Sequence, residues 1–306
     1  MYILKIKRPA IKNWWKLLRP HTLTASIMPV LIGTALSFDK GEIDWILFAA
    51  MLLASIMIQS AVNMFNEYFD FKRGLDTKDS VGIGGVIVRN EISERVVLKT
   101  AEWLFTISVL LGLYICARTS WWVALAGSVS MLVGFLYSGS RSPIAYVPFG
   151  ELTAGIFMGP MIVVTAFYIQ SGSITINSLI LSLPISILVA AILLANNIRD
   201  AEGDMKKGRR TLAILLGQHR ATSILGGMFT IDFVLVALLV LFQYASPMVL
   251  ISFASIPKAI RSIEIFRTKG TPLEMMPAMK AVSALHLQFG LLFATGIILG
   301  DFLSFG

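Results

Sequence analysis

Residues 45–76 read WILFAAMLLASIMIQSAVNMFNEYFDFKRGLD, and residues 183–210 read LPISILVAAILLANNIRDAEGDMKKGRR. Each is a long apolar run that ends in an Asn, an Asp four positions later and then a second Asp: Asn66, Asp70 and Asp76 in the first, Asn196, Asp200 and Asp204 in the second. An uninterrupted run of about 20 apolar residues is long enough to cross a bilayer as a helix, and these runs lack the alternation of a barrel strand. Carboxylates delivered to the edge of a hydrocarbon layer repel one another and are costly there alone. Divalent cations and a polyanionic ligand would neutralise them, which points to phosphate-ester chemistry at a membrane.

The rest of the chain has the same character. More than half of its 306 residues are hydrophobic and only 14% are charged. Nine apolar stretches are predicted to span, at roughly 17–38, 44–68, 97–117, 120–138, 149–170, 175–198, 222–243, 246–265 and 277–303. The fold class expected is therefore an all-α integral membrane protein with nine transmembrane helices, and residues 1–306 are read as one polytopic membrane domain. Long polar connections are expected only at about 71–94, which includes SVGIGGVIVRN, and at about 200–220. The basic start, with Trp14 and Trp15, reads as an interfacial segment rather than a cleaved signal.

The net charge of +8 is not distributed as nucleic-acid binding would require. With the N-terminus in the cytoplasm and nine spans threaded, only Lys40 and Arg118 fall in outer loops, as the positive-inside rule expects. Membrane lipid, not nucleic acid, is the expected partner for the excess charge, and both Asp-bearing segments face the cytoplasm. The single cysteine, Cys116, excludes an intrachain disulfide and any multi-cysteine metal site.

Helical spacing puts Gln59, Asn63, Asn66 and Asp70 on one face, and Asn196, Asp200 and Asp204 on another. A polar stripe on a spanning helix must face protein or a water-filled cavity, whereas simple helix-end polarity would not repeat the Asn–Asp step twice. Asn66 and Asn196 are separated by the same interval as Asp70 and Asp200, which makes an internal duplication with a shared site plausible. Lys72 and Arg73 lie among the first acids, and Lys206, Lys207, Arg209 and Arg210 follow the second set. Magnesium is commonly shared between carboxylates and substrate phosphates, with Lys and Arg on the remaining phosphate oxygens. Gly82, Gly84 and Gly85 lack the spacing and context of a nucleotide loop and read as a close-approach or lid segment. Asp232, His286 and Gln288 are intramembrane polar residues with a structural or a catalytic reading each.

These motifs, with RPHTLTAS at 19–26 and YSGSRSPIAYVPFGELTAG at 137–155, resemble the UbiA superfamily of intramembrane prenyltransferases, closest to its 1,4-dihydroxy-2-naphthoate polyprenyltransferase branch of menaquinone synthesis. The resemblance implies a central cavity open sideways to lipid and capped by the two polar loops. It implies Mg2+ held by Asp70, Asp76, Asp200 and Asp204, with Asn66 and Asn196 in support. Tyr137 and Arg141 match a pair that contacts the diphosphate, and Lys72 and Arg209 would complete its binding. Glu67 stands where many members carry Asp. The implied substrates are a polyprenyl diphosphate and 1,4-dihydroxy-2-naphthoate. Alternatives are another acceptor such as 4-hydroxybenzoate or, in a different class, a cation-coupled transporter.

Overall fold

The computed structural model describes residues 10–76 and 85–304, and among these every regular element is helical. Twelve α-helices follow one another: α1 (Ile11–Leu18), α2 (Pro20–Ala35), α3 (Trp45–Lys72), α4 (Glu94–Arg118), α5 (Trp122–Gly139), α6 (Gly150–Met158), α7 (Pro160–Ser171), α8 (Ile176–Leu181), α9 (Leu183–Lys206), α10 (Leu212–Leu241), α11 (Ile256–Thr268) and α12 (Pro272–Ser304). Taken singly or as joined pairs, they give eight segments long and apolar enough to cross a bilayer. The ninth expected stretch, 246–265, folds as a 3-10 turn over Pro247–Ser255 that runs into α11 and packs on α12.

Local chemistry sets the boundaries. Asp44 caps α3, accepting from the backbone N–H groups of Ile46 and Leu47 at 3.0 Å. Arg19 takes a left-handed conformation (φ 50°) that ends α1, and Pro20 opens α2. On α1, Trp15 is exposed while Asn13 and Leu17 are buried, as an interfacial helix requires. The stretch expected as one span at 149–170 is broken at Gly159–Pro160, since proline offers no N–H to continue the helix. A Cβ on Gly159 would sit 2.6 Å from Ser186 Cα, so glycine is what lets this break lie against α9.

Two expected loop boundaries shift. The polar segment at 200–220 is mostly helical, because α9 continues to Lys206 and α10 begins at Leu212 with a kink at Gly217. Apolar periodicity ends where the membrane ends, but a helix with polar sides continues beyond it. Of the segment at 71–94, residues 77–84 lie outside the described residues, and with them Gly82 and Gly84. Residues 85–92 pack inward, with Val86, Ile87 and Ile92 buried among Leu17, Met64 and Phe65.

Helices α2 and α9 are largely enclosed, whereas α4 and α5 turn most of their surface outward. The main core joins α2, α7, α9, α10, α11 and α12, and a second joins α1, α3 and α4. Helix α3 packs chiefly on α4, and α9 on α10. The two acid-bearing helices therefore meet through their polar ends rather than through apolar packing.

Candidate active site

A cavity of about 750 Å3 runs between α2, α3, α4, α5, α6, α7 and α9. Asn66, Asp70 and Asp76 line it from one side, and Asn196, Asp200 and Asp204 from the other, with Tyr137 and Arg209 between them. Gln59 and Asn63 line it too, so the polar face expected on α3 looks into the cavity. Deeper in, the walls are apolar, with Met51, Ile58, Leu113, Met131, Phe157 and Ile162.

Arg209 ties the two acidic clusters together. Its Nη2 donates to both oxygens of Asp70, at 2.8 and 2.9 Å, and its Nη1 donates to Asp204 Oδ2 at 3.2 Å. The Tyr146 ring lies 5.2 Å from its guanidinium carbon, in cation–π contact. Burial opposes the charge on Arg209, but Asp70 and Asp204 outweigh it and raise its pKa above the ordinary value. Asp200 is paired with Arg199, which donates to its two oxygens at 2.7 and 2.5 Å and extends along Met276 and Met279 of α12. Asp76 is different. Burial, and then the charges of Asp70 and Glu67, push its pKa up from 3.8 to about 6.

Among the described residues, no three His, Cys, Asp or Glu side chains are close enough together to hold a metal ion as they stand. The donor set nevertheless fits a hard divalent cation. It offers carboxylate and amide oxygens, and Asp76 is a buried carboxyl whose pKa is raised by that burial and then by the charges of Asp70 and Glu67, which a bound cation would offset.

Two residues expected at the diphosphate are elsewhere. Lys72 pairs with Glu94 on α4 at 2.8 Å, over the Tyr68 ring and outside the cavity lining. Its helical position, two residues past Asp70, turns it to a different face. Arg141 is exposed beyond the end of α5 and does not line the cavity. Arg73 instead donates to the carbonyls of Ser138 and Ser140, at 2.6 and 2.8 Å, and closes that helix end.

Glu67 has a role that the sequence reading missed. One carboxylate oxygen accepts from the backbone N–H groups of Gly85, Val86 and Ile87 at 2.7, 2.6 and 3.3 Å. The other lies 3.6 Å from Arg19, which lines the cavity together with His21. Three successive N–H groups around one oxygen form an anion cradle, here filled by the protein's own carboxylate. Asn66 accepts from Ser138 Oγ at 3.2 Å, and Asn197, beside Asn196, donates to Glu151 at 2.8 Å. The RPHT stretch could have flagged Arg19 as a cation before a span, but nothing local pairs it with Glu67. Asp232 and His286 are fully buried, off the cavity, and no hydrogen-bond partner reaches them among the described residues. Gln288 is held by Lys258.

A profile of the UbiA prenyltransferase family matches residues 26–271. The chain belongs to the UbiA prenyltransferase family. A family member from Bacillus subtilis (strain 168), named 1,4-dihydroxy-2-naphthoate octaprenyltransferase, is 48% identical over 288 residues, covering 94% of this chain and 93% of the relative. The human UbiA prenyltransferase domain-containing protein 1 is 29% identical, over 92% of this chain and 82% of its own. Among solved structures, a UbiA homolog from Archaeoglobus fulgidus bound to DMAPP and Mg2+ superposes with a TM-score of 0.59 at 19% identity, over 92% of this chain and 99% of that one. The UbiA fold is thereby shared, and the protein is a multi-pass membrane prenyltransferase.

Proposed function

We propose that this chain transfers a polyprenyl group from a polyprenyl diphosphate to 1,4-dihydroxy-2-naphthoate, with loss of carbon dioxide, as a Mg2+-dependent step of menaquinone synthesis. The observation that carries the reading is the meeting of Asp70 and Asp204 at Arg209, at the head of an apolar cavity. The 48% identical Bacillus relative supports the choice of acceptor, and the DMAPP and Mg2+ of the Archaeoglobus homolog support the metal and the diphosphate.

The residues divide the work. Asp70, Asp76, Asp200 and Asp204 would hold the metal, with Asn66 and Asn196 lending amide oxygens. Held there, Mg2+ would supply positive charge to offset the negative charge growing on a departing diphosphate. Arg209 adds a fixed guanidinium, aimed by Asp70 and Asp204 and backed by Tyr146, for the phosphate oxygens. Lys207 and the Tyr137 hydroxyl line the same end and complete the donor set. Loss of diphosphate leaves an allylic cation that water would quench. Walls of Met, Ile, Leu and Phe exclude water and hold the tail until the electron-rich ring attacks C1. The bonding pair of the broken C–O bond leaves with diphosphate, a ring pair forms the new C–C bond, and the acceptor's carboxylate departs as carbon dioxide, its bonding pair returning to the ring to restore aromaticity.

We place the protein in the cell membrane, with its N-terminus and the acidic end of the cavity on the cytoplasmic side, because Lys and Arg concentrate at that end of the helices. Residues 1–306 act as one domain. The test is product mass from the purified full chain in nanodiscs, given Mg2+, one labelled polyprenyl diphosphate and either 1,4-dihydroxy-2-naphthoate or 4-hydroxybenzoate. A decarboxylated prenyl-naphthalenediol is expected. Prenylation of 4-hydroxybenzoate alone would overturn the choice of acceptor.

A further inference from the structure

The cavity is deep as well as wide. Asp70 marks one end of it, and Met51, also on α3, lies about 28 Å away at 1.5 Å per residue. That distance is close to the thickness of a bilayer's hydrocarbon core. At the Met51 level the wall is completed by Gly112 of α4 and Gly127 of α5. Each of these three residues lies about 7–9 Å inside the far end of its helix, and Arg118 meets Asp44 where α4 ends beside the start of α3, so they share one depth.

Neither glycine is needed by the fold. Both have ordinary helical backbones, where glycine is the least favourable residue after proline. A Cβ added at Gly112 or Gly127 would meet nothing within 4 Å. Gly134, higher on α5, is a useful contrast: its Cβ would come within 2.9 Å of Val62, so close packing of α5 on α3 accounts for it. Both glycines line the cavity, and the space that a side chain at either would need is open.

We propose that Gly112 and Gly127 determine how long a prenyl tail the enzyme accepts, by leaving the far end of the cavity open for the distal isoprene units. The inference rests on the prenyl-transfer reading above. A short tail ends before this level and does not touch the two positions. A long one passes between them, and a bulky side chain there excludes it or forces it to bend.

The experiment compares kcat/KM for geranyl, farnesyl and octaprenyl diphosphates with 1,4-dihydroxy-2-naphthoate and Mg2+, using the full chain in nanodiscs. Wild type is set against Gly112→Leu, Gly127→Leu, the double variant and the two Ala variants. The expected result is a fall of about tenfold or more in the octaprenyl-to-geranyl ratio for each Leu variant, with smaller falls for Ala. Leu and Ala variants that keep the wild-type ratio overturn the inference, whether their activities are unchanged or lowered alike for every length. If wild type transfers none of the three tails, the prenyl-transfer reading itself fails. If it transfers them and the ratio does not move, only the role of the glycines falls.

Discussion

Arg209 reaches Asp70 across 139 positions of the chain, and its Nη2 donates to both carboxylate oxygens at 2.8 and 2.9 Å. With the second contact to Asp204, one cation joins the end of α3 to the end of α9. Helices that hardly pack on each other are thereby brought to one ligand site.

Replacing Arg209 with Gln leaves two poorly solvated carboxylates facing each other without a counter-charge. Loss of one partner of a buried pair costs about 3 kcal/mol or more, so the variant should melt well below wild type in Mg2+-free buffer. Added Mg2+ should restore more of its melting temperature than it adds to wild type. Equal shifts in the two proteins would show that Arg209 does not share a charge site with the metal.

Glu67→Ala removes the acceptor for three backbone N–H groups, and each buried donor left unsatisfied costs about 1–3 kcal/mol. Hydrogen exchange at Gly85, Val86 and Ile87 should accelerate strongly. Glu67→Gln retains an oxygen and should recover part of the protection, whereas Glu67→Asp is too short to reach. Unchanged exchange in the Ala variant would remove Glu67 from the anchoring of this segment.

Asp76 gives the site a pH dependence. Its pKa in the fold, about 6, is above its ordinary 3.8, so between these values the folded protein holds a proton that the unfolded chain has released. The stabilisation from that proton is present at low pH and is lost as pH rises through about 6. A metal must displace the same proton, so apparent Mg2+ affinity should weaken as pH falls below about 6. Asp76→Asn should bind Mg2+ more weakly at pH 8 and lose most of this pH dependence. A wild-type affinity that is flat from pH 5 to 8 would contradict the assignment.

Lys72→Ala should leave prenyl transfer within about threefold of wild type, since its ammonium is engaged with Glu94 at an exposed pair. Arg141→Ala should behave similarly. Arg209→Ala should reduce transfer by a hundredfold or so, in keeping with loss of a charge-assisted contact to the leaving group. A Lys72 variant as damaged as the Arg209 one would restore the role first expected of that lysine.

How much the sequence disclosed depended on the range of the interaction. Spans were legible because bilayer thickness fixes helix length, and the cavity-facing stripe of Gln59, Asn63, Asn66 and Asp70 was legible because helical spacing fixes which residues share a face. The break at Gly159–Pro160 was not anticipated within the single span expected at 149–170, and the close contact that glycine permits there is with Ser186 on another helix. Lys72 and Arg209 looked alike as cations beside acids. Only tertiary placement separates them, because one meets Glu94 and the other meets Asp70. Glu67 stood out in the sequence only as a departure from the Asp of many family members, and its cradle depends on backbone groups 18 to 20 positions away.

The most direct test of a site shared by two halves is the binding of an inert prenyl thiolodiphosphate to purified protein, measured by calorimetry with and without Mg2+. The account expects Mg2+-dependent binding in wild type and its loss in both Asp70→Asn and Asp204→Asn, each variant still folded in nanodiscs. Undiminished Mg2+-dependent binding in either one would show that a single acidic cluster suffices, and the claim of a jointly held diphosphate would be wrong.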